Sequence, residues 1–146
     1  MSLLSGHGID YRIDSIQILE AIDIRVDTGE LVGLIGPNGA GKSSLLRLLT
    51  GVEACTQGEV RFDDQPLPEI SATLRAQRMG YLVQGAMAYW PFRVDKVIEL
   101  GRIPYQKWWQ QVSSDDQKIV EEAMTKTETL AYRNRIVTTL SGGEQT

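Results

Sequence analysis

The sequence predicts an α/β fold, because three adjoining segments have the patterns of a buried strand, a tight loop and a helix. Residues 31–35 are a nearly unbroken apolar run, which is typical of a strand buried on both faces of a parallel sheet. A glycine-rich stretch follows, and leucines then recur at helical spacing over residues 42–50. Gly51 is placed to end this helix, so the segments predict the first half of a βαβ unit.

The segments on either side of this unit are predicted to be mainly β structure. Apolar and charged side chains alternate over residues 21–27, and residues 28–29 mark a turn. Alternation returns over residues 58–62 and is broken by Pro66, which predicts a short strand and a turn.

The rest of the chain is predicted to be mostly helical. Ser71 is placed to cap a short helix, and residues 80–83 are predicted to form a strand. A further helix is predicted to start at Ser114, because Asp115 and Asp116 suit its first turn. An apolar stripe between these segments consists of Val94, Val97, Ile98 and Gly101.

Composition and charge exclude several classes of protein. The 146 residues suit one domain with one core. Fifteen lysines and arginines against 19 aspartates and glutamates give a net charge of -4, which works against nucleic acid as the main partner. Cys55 is the only cysteine, and the sequence has neither a secretory signal pattern nor an apolar run of membrane-spanning length. We therefore expect a cytoplasmic protein that binds no nucleic acid.

The phosphate-binding loop, residues 36–43, matches the pattern G-x-x-x-x-G-K-[ST] at every position. Its glycines let several backbone N–H groups point at one anion, and the helix that follows adds the positive end of its dipole. Lys42 is predicted to reach the β and γ phosphates, and Ser43 to bind Mg²⁺. The nucleotide-binding residues predicted here are Gly36, Pro37, Asn38, Gly39, Ala40, Gly41, Lys42, Ser43 and Ser44.

The alternative for this loop is a glycine turn that only joins a strand to a helix. The predicted strand before the loop and helix after it favour nucleotide binding. A guanine-specific site is disfavoured, since the nearest match to N-K-x-D is residues 125–128, inside a helical pattern, and D-x-x-G does not occur. ATP is therefore the predicted nucleotide.

Residues 140–145 are a second glycine-rich segment. Its plain interpretation is a capping box, with Ser141 and Glu144 at the start of a helix. Two glycines in a first turn cost about 1 kcal/mol each relative to alanine, so capping alone does not account for them. A serine hydroxyl and bare N–H groups at a helix start predict a second anion site.

These two motifs, in this order and spacing, resemble the nucleotide-binding subunit of ABC transporters. The phosphate-binding loop is similar to the family's Walker A loop. Residues 140–145 are similar to its signature sequence and are called the signature motif below. The resemblance covers essentially the whole chain. It implies a P-loop NTPase fold that has an antiparallel β subdomain and a helical subdomain, with an incomplete parallel core sheet.

The resemblance also implies roles for single residues. Tyr11 matches the aromatic residue that stacks on adenine, with a strand tyrosine packed on the sheet as the alternative. Gln84 matches the glutamine that senses Mg²⁺ and the γ-phosphate, with a polar strand end as the alternative. The resemblance therefore implies Lys42 and Gln84 as catalytic residues, and Ser43 and Gln84 as Mg²⁺ ligands.

In the family, two subunits dimerise head to tail around ATP. The resemblance implies that one subunit's Ser141, Gly142, Gly143 and Glu144 contact the ATP held by its partner's phosphate-binding loop. It further implies an integral-membrane permease as partner, an indirect link to a substrate-binding protein, and a location on the inner face of the cell membrane.

Residues 90–104 are similar to the uptake class that serves iron-siderophore, haem and cobalamin importers, in which Gly-Arg-x-Pro recurs. Here this motif is residues 101–104, and a helix that ends at glycine and proline is the alternative interpretation. Trp108 and Trp109 follow in a polar stretch, where partner contact and burial are both open. A soluble ABC ATPase of repair or translation is a further alternative.

The motif order predicts a single, partial ATP-binding domain. Its expected parts are an α/β core with the β subdomain over residues 1–90, a helical subdomain over residues 91–140, and the start of the signature helix over residues 141–146. Walker B, the catalytic glutamate and the switch histidine would follow the signature motif and are not in the sequence. We therefore expect poor ATP hydrolysis by this chain alone, whether it is part of an importer subunit or a non-hydrolysing fragment.

Overall fold

The computed structural model describes residues 2–83, 85, 89–107 and 112–145. They form two compact units, Met1–Gly80 and Tyr81–Thr146. The first unit therefore ends before the predicted boundary at residue 90, and the assignment of functional subdomains stays a prediction. None of the described helices has both the length and the apolar character that crossing a membrane requires.

The first unit contains an antiparallel sheet with the strand order β2-β1-β3-β4. Leu4 of the first strand pairs with Val26 on one side and with Phe62 on the other. The strands and α-helices are β1 (Ser2–Ile13), β2 (Ile16–Asp27), α1 (Lys42–Leu49), β3 (Gln57–Phe62), β4 (Gln65–Pro66) and α2 (Ala72–Arg78), and a 3₁₀ turn spans Leu67–Glu69. The predictions of β structure before residue 28, of the helix after the loop, of the strand near residue 60 and of the Ser71 cap are confirmed.

The core of the first unit lies between the sheet and α1. The helix presents Leu45, Leu48 and Leu49 to the strands, and all three are buried. Full burial of one such side chain contributes about 1.5–3 kcal/mol, so this stripe fixes the position of the helix that follows the phosphate-binding loop. The buried cluster consists of Ile9, Leu19, Leu45, Leu48, Leu49, Val60, Phe62, Leu67 and Ile70.

Two predicted strands are not formed. Residues 31–35 and 80–83 have no strand pairing, and the Leu31 and Ile35 side chains are 98% and 93% exposed. A strand needs a neighbour for its hydrogen-bond ladder, whereas the described strands pair only with one another and only antiparallel. The prediction of a strand buried on both faces is therefore wrong for the described part of the chain.

The second unit is helical. Backbone hydrogen bonds join residues 92–94 to residues 135–137. The Val94 N–H donates to the Arg135 carbonyl at 3.0 Å, and the Val137 N–H donates to the Phe92 carbonyl at 2.9 Å. The α-helices are α3 (Val94–Glu99), α4 (Ser114–Lys126) and α5 (Gly142–Gln145), and 3₁₀ turns span Leu100–Tyr105, Leu130–Tyr132 and Val137–Thr139. The buried cluster consists of Val94, Val120, Met124, Val137 and Leu140.

A capping box begins α4. The Asp116 N–H donates to the Ser113 hydroxyl, and the Ser113 N–H donates back to the Asp116 carboxylate. Arg102 donates to the same carboxylate at 2.7 Å. The hydrogen bonds from Arg102 and then from Ser113 hold the pKa of Asp116 below its ordinary value. This stabilisation is therefore present at neutral pH and is lost as the pH falls through the lowered pKa.

Replacement of Met124 by alanine is expected to destabilise the chain by about 2–5 kcal/mol, because Met124 is 0% exposed and its loss leaves a cavity. Ile119→Ala on the same helix is the matched control, since Ile119 is 41% exposed and its loss costs less than about 1 kcal/mol. Urea denaturation measures both values. Equal losses would contradict the placement of Met124 in the core.

Candidate functional site

The phosphate-binding loop has the backbone that its glycines predict. Gly39 and Gly41 have φ angles of 83° and 81°, which L-residues with a side chain rarely adopt. Gly41 is the N-cap of α1, and no side chain caps the helix there. The first-turn N–H groups of α1 are therefore available to an anion, which is the arrangement that phosphate recognition needs.

Gly41 is also required by close packing. A Cβ atom at this position would lie 2.7 Å from Leu19 Cδ2 and 3.1 Å from the Ile18 carbonyl oxygen. The end of the loop therefore packs directly against β2, and the space between them does not accommodate a side chain at position 41.

Replacement of Gly41 by alanine is therefore expected to lower the free energy of unfolding more than Gly39→Ala. Both changes place a side chain at positive φ, which costs roughly 1–2 kcal/mol. Only alanine at position 41 also collides with Leu19, because a Cβ at Gly39 meets nothing within 4 Å. Chemical denaturation of the two variants measures the difference, and equal losses would contradict the contact between loop and strand.

Lys42 already faces the loop. Its Nζ donates to the Gly36 carbonyl at 2.8 Å and to the Pro37 carbonyl at 2.7 Å. The Ala40 N–H donates to the same Pro37 carbonyl at 3.3 Å. The ammonium group is therefore held over the loop, where it can exchange these carbonyl oxygens for phosphate oxygens.

Of the two predicted Mg²⁺ ligands, Ser43 is among the described residues. Ser43 is the second residue of α1 and its side chain is exposed, so its hydroxyl is available to a hard cation that prefers oxygen. Gln84 lies outside the described residues. Ser44 follows in the same turn and is half-buried.

The contacts of Tyr11 favour its alternative interpretation. Tyr11 is half-buried on β1, pairs with Leu19 in the sheet and packs against the core of the first unit. Hydrogen bonding to the Glu53 carboxylate, together with partial desolvation, raises the pKa of the Tyr11 hydroxyl. Arg47 of α1 also pairs with Glu53 at 3.3 Å. These contacts give Tyr11 a structural role, and adenine stacking stays a prediction.

The signature motif begins α5. Leu140 is buried in the second core, whereas Ser141, Gly142 and Gly143 are exposed. A Cβ atom at either glycine would meet nothing within 4 Å, and neither glycine has a positive φ. The described surroundings of this turn therefore impose no need for glycine, and the predicted contact with another molecule stays a prediction.

Glu144 holds both donors of Ser141. The Ser141 N–H and hydroxyl donate to the same carboxylate oxygen, Oε2, at 2.7 Å and 2.8 Å. These two bonds are the main reason why the pKa of Glu144 lies below its ordinary value, and Tyr132 and Arg135 lower it further. The predicted capping box is therefore half formed, because the serine hydroxyl donates to Glu144 instead of accepting from its N–H.

The Gly-Arg-x-Pro motif has a structural role. Residues 101–104 lie within the 3₁₀ turn Leu100–Tyr105. Arg102 binds Asp116 and stacks on the Tyr105 ring at 4.1 Å. The stretch therefore supports the interpretation of a helix end, although a 3₁₀ turn replaces a simple stop. Trp108 and Trp109 lie outside the described residues.

Sequence reasoning missed the partners of Tyr11 and Glu144. Glu53, which faces Tyr11, and Arg135, which faces Glu144, belong to no motif. Their proximity depends on how the surrounding segments fold, so no local pattern marks them.

An α/β fold with a helix that starts from this loop defines a P-loop protein. The chain belongs to the ABC transporter family, whose sequence profile matches residues 19–146.

The curated relatives include importer subunits. The chain is 41% identical over 143 residues to the hemin import ATP-binding protein HmuV of Pseudomonas fluorescens, covering 98% of this chain and 54% of the relative. It is 34% identical over 138 residues to the cobalamin import ATP-binding protein BtuD of Halobacterium salinarum, covering 94% of this chain and 34% of the relative. The chain spans about half the length of the HmuV relatives it matches.

Solved structures show the same fold. An ATP-binding subunit of an ABC transporter matches with a TM-score of 0.80 at 22% identity, covering 99% of this chain and 58% of that one. A metal-chelate type ABC transporter in an inward-facing conformation matches with a TM-score of 0.77 at 20% identity, covering 99% and 53%.

Proposed function

We propose that this chain supplies the ATP-binding surfaces of an ABC importer subunit that couples ATP binding and hydrolysis to uptake of a metal chelate. The named relatives that import hemin and cobalamin support this cargo class, which also includes iron-siderophores. The observation that carries ATP binding is the phosphate-binding loop, with Lys42 folded over it at the uncapped start of α1.

The loop binds the phosphates of ATP through its backbone and Lys42. The N–H groups at the start of α1 point along the helix dipole and donate to phosphate oxygens. Lys42 adds a full positive charge within hydrogen-bond reach of the loop carbonyls. Ser43, and by resemblance Gln84, would hold Mg²⁺, which neutralises phosphate charge when it is bound.

A second copy of the subunit completes the site. Ser141, Gly142 and Gly143 are exposed and have space above their backbone, so they are suited to contact a γ-phosphate that another copy holds. ATP then lies between two subunits arranged head to tail and links them.

Hydrolysis requires more than these surfaces. Within the 146 residues no apolar strand that ends in an acidic pair follows Ser141, so no carboxylate is identified that orients the attacking water. We infer that residues 1–146 alone bind ATP and hydrolyse it poorly, and that Lys42 and Gln84 contribute to turnover in the complete subunit. The subunit works at the cytoplasmic face of the membrane against a permease, and through it with a substrate-binding protein.

ATP titration with a self-association readout tests this function. Calorimetry of the chain with ATP and Mg²⁺ measures binding, and sedimentation velocity under the same conditions measures dimer formation. We expect binding, with dimers that form with ATP and not with AMP, which lacks the γ-phosphate. No binding would overturn the assignment of the loop, whereas binding without association would overturn the shared site.

A further inference from the structure

The two donors of Ser141 are already occupied by its own subunit. Both the N–H and the hydroxyl point at Oε2 of Glu144, at 2.7 Å and 2.8 Å. In the proposed function, the Ser141 hydroxyl donates to the γ-phosphate of the partner's ATP. Glu144 and the phosphate therefore compete for the same hydrogen-bond donor.

Charge strengthens this competition. The Glu144 carboxylate is ionised at neutral pH, as glutamates ordinarily are, and the bonds from Ser141 lower its pKa further. A phosphate that reaches Ser141 in this arrangement meets a carboxylate at hydrogen-bond distance from the same hydroxyl, and the two anions repel each other. Phosphate binding therefore requires that the carboxylate move.

Arg135 offers the carboxylate another position. Its Nη1 lies 3.8 Å from Glu144 Oε1, which is within ion-pair range but beyond hydrogen-bond range. The Arg135 guanidinium also donates to the Thr139 carbonyl at 3.3 Å and lies 5.4 Å from the centre of the Tyr132 ring. The Tyr132 side chain also hydrogen-bonds Glu144, so a cation and a hydroxyl both lie beside this carboxylate.

We propose that Glu144 is a positioning residue that holds Ser141 closed without ATP, and releases it by shifting its carboxylate from Ser141 to Arg135. This inference rests on the proposed function, and it gives Glu144 the opposite of a phosphate ligand's role. The hydrogen bonds between Ser141 and Glu144 must break before two subunits associate around ATP, so they lower the affinity of this association.

The test is a double-mutant cycle on ATP-dependent self-association of the full chain, measured by sedimentation with ATP and Mg²⁺. Glu144→Gln keeps the size of the side chain and removes its charge, so it is expected to tighten association roughly tenfold, as a charge-assisted bond becomes a neutral one. Arg135→Gln is expected to weaken association when Glu144 is present. In a chain that already carries Glu144→Gln, the same change is expected to leave the association constant unchanged.

The matched controls are Glu121→Gln and Arg133→Gln, which remove an exposed ion pair with a 3.1 Å separation in the same unit. Neither is expected to change association. Amide hydrogen exchange at Ser141 provides a second readout, because Glu144→Ala removes the acceptor of that N–H and should accelerate its exchange.

The outcomes separate this inference from the proposed function. If Ser141→Ala weakens association while Glu144→Gln fails to tighten it, the inference is overturned and the shared ATP site stands. If Arg135→Gln has the same effect in both chains, its coupling to Glu144 is overturned. If neither the wild-type chain nor any variant associates with ATP, the proposal of an ATP site shared by two subunits is overturned, and so is the proposed role of Glu144.

Discussion

Replacement of Lys42 by alanine is expected to abolish ATP binding. Lys42 is held over the phosphate-binding loop by the Gly36 and Pro37 carbonyls, so its ammonium group is placed to meet the β and γ phosphates. Loss of a charge-assisted hydrogen bond and its counter-charge costs about 3 kcal/mol or more, which corresponds to over a hundredfold in affinity. Isothermal titration calorimetry with ATP and Mg²⁺ measures this loss.

Lys118→Ala is the matched control for this variant. Its side chain is 75% exposed and lies 3.5 Å from Asp115 in the second unit, so its removal takes away one positive charge without touching the loop. We expect wild-type ATP affinity in Lys118→Ala. Unchanged affinity in Lys42→Ala would show that the loop is only a turn.

Replacement of Ser141 by arginine is expected to abolish ATP-dependent self-association while ATP binding persists. The change removes the hydroxyl that the proposed function places against the partner's γ-phosphate, and it fills the space above Gly142 and Gly143 with a long side chain. The contacts that hold the phosphate-binding loop are made within the first unit, so the loop keeps its affinity. Sedimentation velocity in parallel with calorimetry separates the two effects.

Thr138→Arg is the control for bulk and charge. Thr138 is exposed and lies close to Ser141 in sequence, outside the signature motif. Arginine at position 138 should leave association intact. Intact association of the Ser141→Arg chain would instead mean that the signature serine does not act across two subunits.

Local signals in the sequence were sufficient for the helices. Ser71 caps α2 through the Leu74 N–H, as a serine before a short helical pattern predicts. Leu45, Leu48 and Leu49 of α1 lie in the core because their spacing leaves them on one face. The loop glycines adopt positive φ for reasons that are also local.

Strands and tertiary contacts could not be predicted in this way. Residues 31–35 have the composition of a central strand, but composition says nothing about the neighbour that such a strand needs. For the same reason the contacts of Tyr11 with Glu53 and of Glu144 with Arg135 are found only in the folded chain. The phosphate-binding loop was therefore predictable at the level of its backbone, whereas the surroundings of the signature serine were not.

The bond between Arg102 and Asp116 joins the Gly-Arg-x-Pro motif to the start of α4. Arg102 donates a hydrogen bond to Asp116, whose carboxylate is part of the capping box that begins α4. The Tyr105 ring packs against the Arg102 guanidinium. Loss of either partner leaves the charge of the other without this compensation in a partly buried place. The arginine of the motif therefore acts on the start of the next helix, α4, which lies twelve residues further along the chain.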